Sequence, residues 1–132
     1  MPRVSWPLLH GRRRVQLILP LPGGSQQLAR DLLADTGAGV ATSPFDFLLA
    51  QSDCLPLSGQ PFSSVILGRA YTGRHPVYMI RVRLPGLGFD HYLRAVGVPS
   101  PPAGFGGVAC FPFLNQFTYG NFGNATQFGL EC

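Results

Sequence analysis

Asp35-Thr36-Gly37-Ala38 is the one segment of this chain whose residue types and spacing could support catalysis. The tripeptide Asp-Thr-Gly alone is a weak signal, since chance supplies it in roughly a few per cent of chains of this length. Its setting strengthens it. The run Leu32-Leu33-Ala34 leads directly into Asp35, apolar at consecutive positions as in a strand buried on both faces. A carboxylate there stands at the edge of a low-dielectric core. Gly37 allows a sharp turn and brings its amide within reach of the carboxylate, and the Thr36 hydroxyl can brace the turn.

A single carboxylate cannot both activate a water molecule and protonate a leaving group. Two carboxylates close together can, because like charges resist joint ionisation and the pair shares one proton. The other acids are Asp31, Asp46, Asp53, Asp90 and Glu131, and none sits in a second Asp-Thr-Gly or Asp-Ser-Gly. A catalytic Asp35 therefore needs Asp35 of a second subunit, brought to it across a twofold axis.

Few other chemistries fit the composition. His10, His75 and His91 are scattered, and Cys54, Cys110 and Cys132 form no Cys-x-x-Cys pair, so neither a metal site nor a disulfide framework is expected. Free thiols of this kind suit a reducing, cytoplasmic compartment. All ten basic residues are arginine, for a net charge of +4, yet Arg12-Arg13-Arg14 is the only basic run. Three residues without an aromatic platform fall short of a nucleic-acid surface and read as a solvated strand start. No apolar run reaches membrane-spanning length, and Pro20 interrupts the densest one.

The elements that must position Asp35 follow from the same composition. Only 12% of the residues are charged, while 17 glycines and 13 prolines favour turns over solvated helices. The expectation is a single all-β domain over residues 1–132, with its core at about 14–131 and one or two short helices. Strands are expected at Val15–Leu19, Leu28–Asp35, Phe89–Val98 and Gln127–Glu131. A hairpin is expected with arms Phe62–Tyr71 and Pro76–Leu84 and a turn through Tyr71–His75. Its second arm alternates strictly, with Tyr78, Ile80, Val82 and Leu84 facing one way. Ser43-Pro44-Phe45-Asp46 carries a helix-start pattern, which predicts a helix over Pro44–Gln51. A second short helix is expected over Phe111–Phe117.

Taken in order, these pieces resemble the retropepsin-like aspartic proteases, single-domain homodimeric relatives of pepsin, and their bacterial branch in particular. The resemblance runs from about Arg14 to Glu131. Leu32-Leu33-Ala34-Asp35-Thr36-Gly37-Ala38 is similar to the family's apolar strand and Asp-Thr/Ser-Gly-Ala turn. The hairpin around Tyr71 to His75 falls where the family carries its substrate-covering flap. Gly107-Val108-Ala109-Cys110-Phe111-Pro112-Phe113-Leu114 resembles the family's second signature, and Phe117 to Glu131 its closing segment. Cys110 stands where the family usually has glycine, so a glycine-only backbone angle there would be strained.

The resemblance implies a closed β-barrel of the acid-protease type that hydrolyses peptide bonds as a homodimer, without metal or cofactor. It implies Asp35 as the catalytic carboxylate, Thr36 bracing the dyad across the dimer, and Gly37 orienting Asp35. Ala38 would line the cleft, with Tyr71, Thr72 and Gly73 touching a peptide or protein substrate from the flap. Two other readings remain open on the sequence: a non-catalytic module of the same fold that binds peptides, and an unrelated β-barrel.

Overall fold

The computed structural model describes all residues, 1–132. Strand makes up 48% of the chain and helix 13%, and six of the strands close into a barrel. The strands are β1 (Arg3–Pro7), β2 (Arg14–Pro20), β3 (Gln27–Ala34), β4 (Phe47–Ala50), β5 (Ser63–Leu67), β6 (Gly73–Leu84), β7 (Phe89–Val98), β8 (Gly107–Ala109), β9 (Thr118–Gly120) and β10 (Gln127–Glu131). Helices α1 (Gln51–Leu57) and α2 (Phe111–Leu114) and two single 3-10 turns, Arg69–Tyr71 and Pro85–Leu87, complete the fold. No helix is long and apolar enough to cross a membrane.

The large sheet runs β2-β3-β8-β4-β7-β6-β5, and a pairing of Ile18 with Arg83 joins β2 to β6 and closes the ring. The second sheet, β1-β10-β9, pairs Arg3 with Glu131 and Pro7 with Gln127. Inside the barrel lie Val15, Leu17, Leu19, Leu32, Phe47, Leu49, Ile80, Val82, Phe113 and Leu130, all essentially inaccessible to water. Burial at about 25 cal/mol per Å² of apolar surface is what holds such a sheet closed. Strand β6 buries Tyr78, Ile80, Val82 and Leu84 and turns Met79 outward, following its alternation. Strands β7 and β10 take the bounds expected of them.

Three local expectations are corrected. Half of the segment expected to be a helix, Pro44–Gln51, is strand, because β4 lies between β7 and β8 with Phe47, Leu48 and Leu49 all buried. Ser43 caps no helix; its Oγ accepts the Val40 amide at 2.9 Å within a turn, and the helix begins later, at Gln51. The hairpin turns earlier than expected, through Gly68–Thr72, so that Arg74 and His75 belong to β6 opposite Ile66 and Val65. Helix α2 stops at Leu114, one turn short, although Phe117 still packs on Phe113 at 5.2 Å between ring centres.

Candidate active site

Asp35 follows β3 directly, at the strand's C-terminal end. Strand β3 runs parallel to β8, pairing Leu33 with Val108 and Ala34 with Ala109. The Asp35 amide continues that ladder by donating to the Ala109 carbonyl at 3.0 Å. Close approach of β8 to β4 requires Gly107, since a Cβ there would strike the Leu48 carbonyl. The turn closes when the Ala38 amide donates to the Asp35 carbonyl at 3.1 Å, and the Phe111 amide donates to the Ala38 carbonyl at 2.9 Å. The two segments that the sequence singles out, 35–38 and 107–111, thus clasp each other through main-chain bonds.

The Gly37 amide donates to Asp35 Oδ1 at 2.9 Å, the bond expected from the tripeptide. The backbone angle at Gly37 does not call for glycine, but a Cβ there would stand 3.3 Å from that oxygen and press on the carboxylate. The left-handed angle falls two residues on, at Gly39, with φ +79°. Thr36 is partly buried, and its hydroxyl makes no hydrogen bond within the chain.

Cys110 packs beneath the turn, fully buried, with φ −90° and ψ 169°. That conformation is open to any residue, so no glycine-only strain arises there. Burial pushes its thiol up to about 12, helped by the charges of Asp35 and Asp46 and opposed by a backbone hydrogen bond at Leu48. A thiol so strongly protonated is packing material rather than a nucleophile.

Electrostatically, Asp35 differs from every other acid of the chain. Asp31 pairs with Arg14 at 2.8 Å, Asp53 with Arg30 at 2.8 Å, Asp90 with Arg81 at 2.7 Å, Asp46 with Arg94 at 3.2 Å and Glu131 with Arg3 at 2.9 Å. Asp35 alone has no cationic partner. It is partly exposed, so water can solvate its charge and can also be its reaction partner.

A cleft of about 410 Å³ opens over the carboxylate. Its floor and sides include Leu33, Gly37, Ala38, Phe45, Leu48 and Val108. The hairpin supplies the opposite wall through Leu67, Gly68, Arg69, Ala70 and Tyr71. Burial raises the pKa of the Tyr71 phenol, which keeps it a neutral donor. The hairpin tip is pinned from within, because His75 Nε2 lies 2.9 Å from the Tyr71 carbonyl and 3.3 Å from that of Thr72. Both partners only accept, so this nitrogen carries the proton.

Among the residues singled out from sequence, Asp35, Gly37, Ala38 and Tyr71 meet at this cleft. Thr36 lies beside it, while Thr72, at the end of the turn, and Gly73, at the start of β6, fall outside its lining. A second hollow of about 330 Å³, lined by Leu8, Gly11, Arg12, Arg13, Leu33 and Ala34, also reaches Asp35. Sequence reading missed Arg69 altogether and took Arg12 and Arg13 for a solvated strand start. Their place beside the carboxylate depends on pairings far away in the chain. No group of three or more His, Cys, Asp or Glu side chains is arranged to hold a metal ion. No protein-family model and no curated protein matches the sequence.

Proposed function

We propose that this chain is an aspartic endopeptidase of the retropepsin type, active as a homodimer. The observation that carries the reading is Asp35, the one carboxylate without a cation, fixed by the Gly37 amide at the floor of an apolar cleft. The closed six-stranded barrel and the clasp between residues 35–38 and 107–111 support it. A hairpin standing over the carboxylate supports it further. In the dimer, two Asp35 carboxyls share one proton across the twofold axis. The ionised member takes a proton from a bound water as its oxygen attacks the scissile carbonyl. The protonated member hydrogen-bonds the developing oxyanion, and the tetrahedral intermediate collapses as the amide nitrogen receives the proton that the first Asp35 took from water, which breaks the C–N bond and restores the singly protonated pair. The substrate lies extended between the hairpin and the turn, its backbone bonded as an added strand. Thr36, with its hydroxyl unused within the chain, is free to bond its counterpart across the axis.

One observation favours a second reading, a peptide-binding module without catalysis: each chain brings a single carboxylate to its cleft. Sedimentation and cleavage separate the two. The peptidase sediments as a dimer and cuts members of a mixed peptide library between acid and neutral pH, whereas D35N cuts them at least about 10²-fold more slowly. A wild-type chain that stays monomeric throughout, or binds peptides and never cuts them, overturns the peptidase reading.

A further inference from the structure

Five of the six acids and six of the ten arginines are consumed in internal ion pairs, leaving Asp35 and the four arginines Arg12, Arg13, Arg69 and Arg74. All four are exposed. An unpaired surface arginine is not unusual, because water solvates it well. Their placement is the informative feature. Arg12 and Arg13 line the smaller hollow, Arg69 lines the cleft, and the two cavities share Leu33 and Asp35. Three free cations therefore line two cavities that meet at one carboxylate.

Neither conformation nor packing accounts for these side chains. Arg69 adopts φ +60°, where glycine or asparagine would cost less, so the backbone does not call for arginine there. The Arg12 guanidinium stands 5.8 Å above the Phe105 ring, a stacking platform that leaves its donors open. A second copy of the chain offers these cations little, since five of its six acids are engaged in the same way and the sixth, Asp35, is assigned to the dyad. The complementary charge has to come from the bound molecule.

We propose that the Asp35 cleft selects peptides carrying aspartate or glutamate beside the residues that lie over the carboxylate, with Arg12 and Arg13 reading one side and Arg69 the other. The inference names the substrate class of the peptidase proposed above, but the selectivity is a property of binding and does not need catalysis. An extended peptide fits better than a nucleic-acid strand. It can place neutral backbone over Asp35 and charge on either side, whereas a phosphodiester chain carries a charge at every step. The walls between the arginines include Leu33, Leu48 and Val108 with Phe45 and Tyr71, an apolar lining that takes side chains, so charge spacing rather than the absence of aromatic rings favours the peptide. Arginine's planar fork matches a carboxylate with two parallel hydrogen bonds.

The test uses the full-length chain and two labelled peptides that differ only by glutamate or glutamine at the flanking positions. Fluorescence anisotropy on D35N reads binding, and kcat/KM on the wild type reads cleavage. The expected preference for the glutamate peptide is roughly three- to tenfold at low ionic strength, as exposed charge pairs allow, and it shrinks as salt is added. R12Q/R13Q/R69Q brings the ratio of the two peptides towards one, while R83Q, which removes a charge outside both cavities, leaves the ratio intact. Equal binding of the two peptides overturns the proposal, as does a preference that survives the triple substitution. A single-stranded oligonucleotide that outcompetes the glutamate peptide overturns it in favour of phosphate recognition. Acid-selective binding without any cleavage keeps this inference and removes the peptidase reading. Cleavage without acid selectivity does the reverse.

Discussion

Asp35 and Asp46 lie eleven positions apart, flank the same strand β8, and are treated in opposite ways. Asp46 is 3% exposed, and its carboxylate accepts the Arg94 amide at 3.0 Å and the Arg94 guanidinium at 3.2 and 3.3 Å. Its main chain is equally committed, donating to the Arg94 carbonyl at 2.9 Å and accepting from Cys110 at 3.0 Å. Asp35 has one bond to its carboxylate, no counter-ion, and an opening to solvent. A buried charge has to be matched on the spot, and matching it makes it structural. A partly exposed charge can be left unmatched, and only such a group remains available to a water molecule or a substrate.

Substitution to asparagine at each position should separate the two roles. On the peptidase reading proposed above, the largest expected effect is on rate: D35N lowers peptide cleavage by about 10² to 10⁴ or more, since the side chain can no longer take up or deliver a proton. Its stability stays within about 0.5 kcal/mol of wild type, because an asparagine oxygen still accepts the Gly37 amide. D46N should show the reverse order of effects, losing about 1–3 kcal/mol of stability. The lower part of that range applies because Arg94 keeps about a third of its surface in water, with 35% side-chain exposure. Urea unfolding with a constant slope checks both variants. Equal destabilisation by the two substitutions would erase the distinction.

The distinction was half legible in the sequence. Leu32-Leu33-Ala34 announced a strand buried on both faces, and Gly37 announced the amide that holds the carboxylate, because both signals are local. The same local reasoning misled at Ser43-Pro44-Phe45-Asp46. A helix-start pattern there is overridden by pairing of Phe47–Ala50 with β7 and β8, strands more than forty residues away. Strand β1 could not be read either, since it exists only through β10 at the other end of the chain. The free arginines were invisible for a further reason. That Arg14 and Arg30 are spent and Arg13 and Arg69 are not is a fact about partners, and no property of the residues themselves records it.

The smallest effect concerns Cys110, which sits between the two acids and feels both. Burial and the charges of Asp35 and Asp46 push its thiol up to about 12 from an ordinary 9.0, and burial raises Cys54 to about 12 as well. A raised pKa means that the folded chain holds these protons after the unfolded chain has released them. The stabilisation is complete below pH 9.0 and is lost as pH climbs towards about 12. Other groups titrate in alkali, so the informative quantity is the difference between wild type and C110A, which should lose less stability over that window. In mildly alkaline buffer a thiol reagent should reach exposed Cys132 in the native chain, and buried Cys54 and Cys110 only after unfolding. D35N and D46N each remove one negative neighbour, so each should bring the onset of Cys110 ionisation to slightly lower pH, with Asp35 the stronger of the two. If neither substitution moves it, the two carboxylates do not share a field across β8, and the difference between them is one of burial alone.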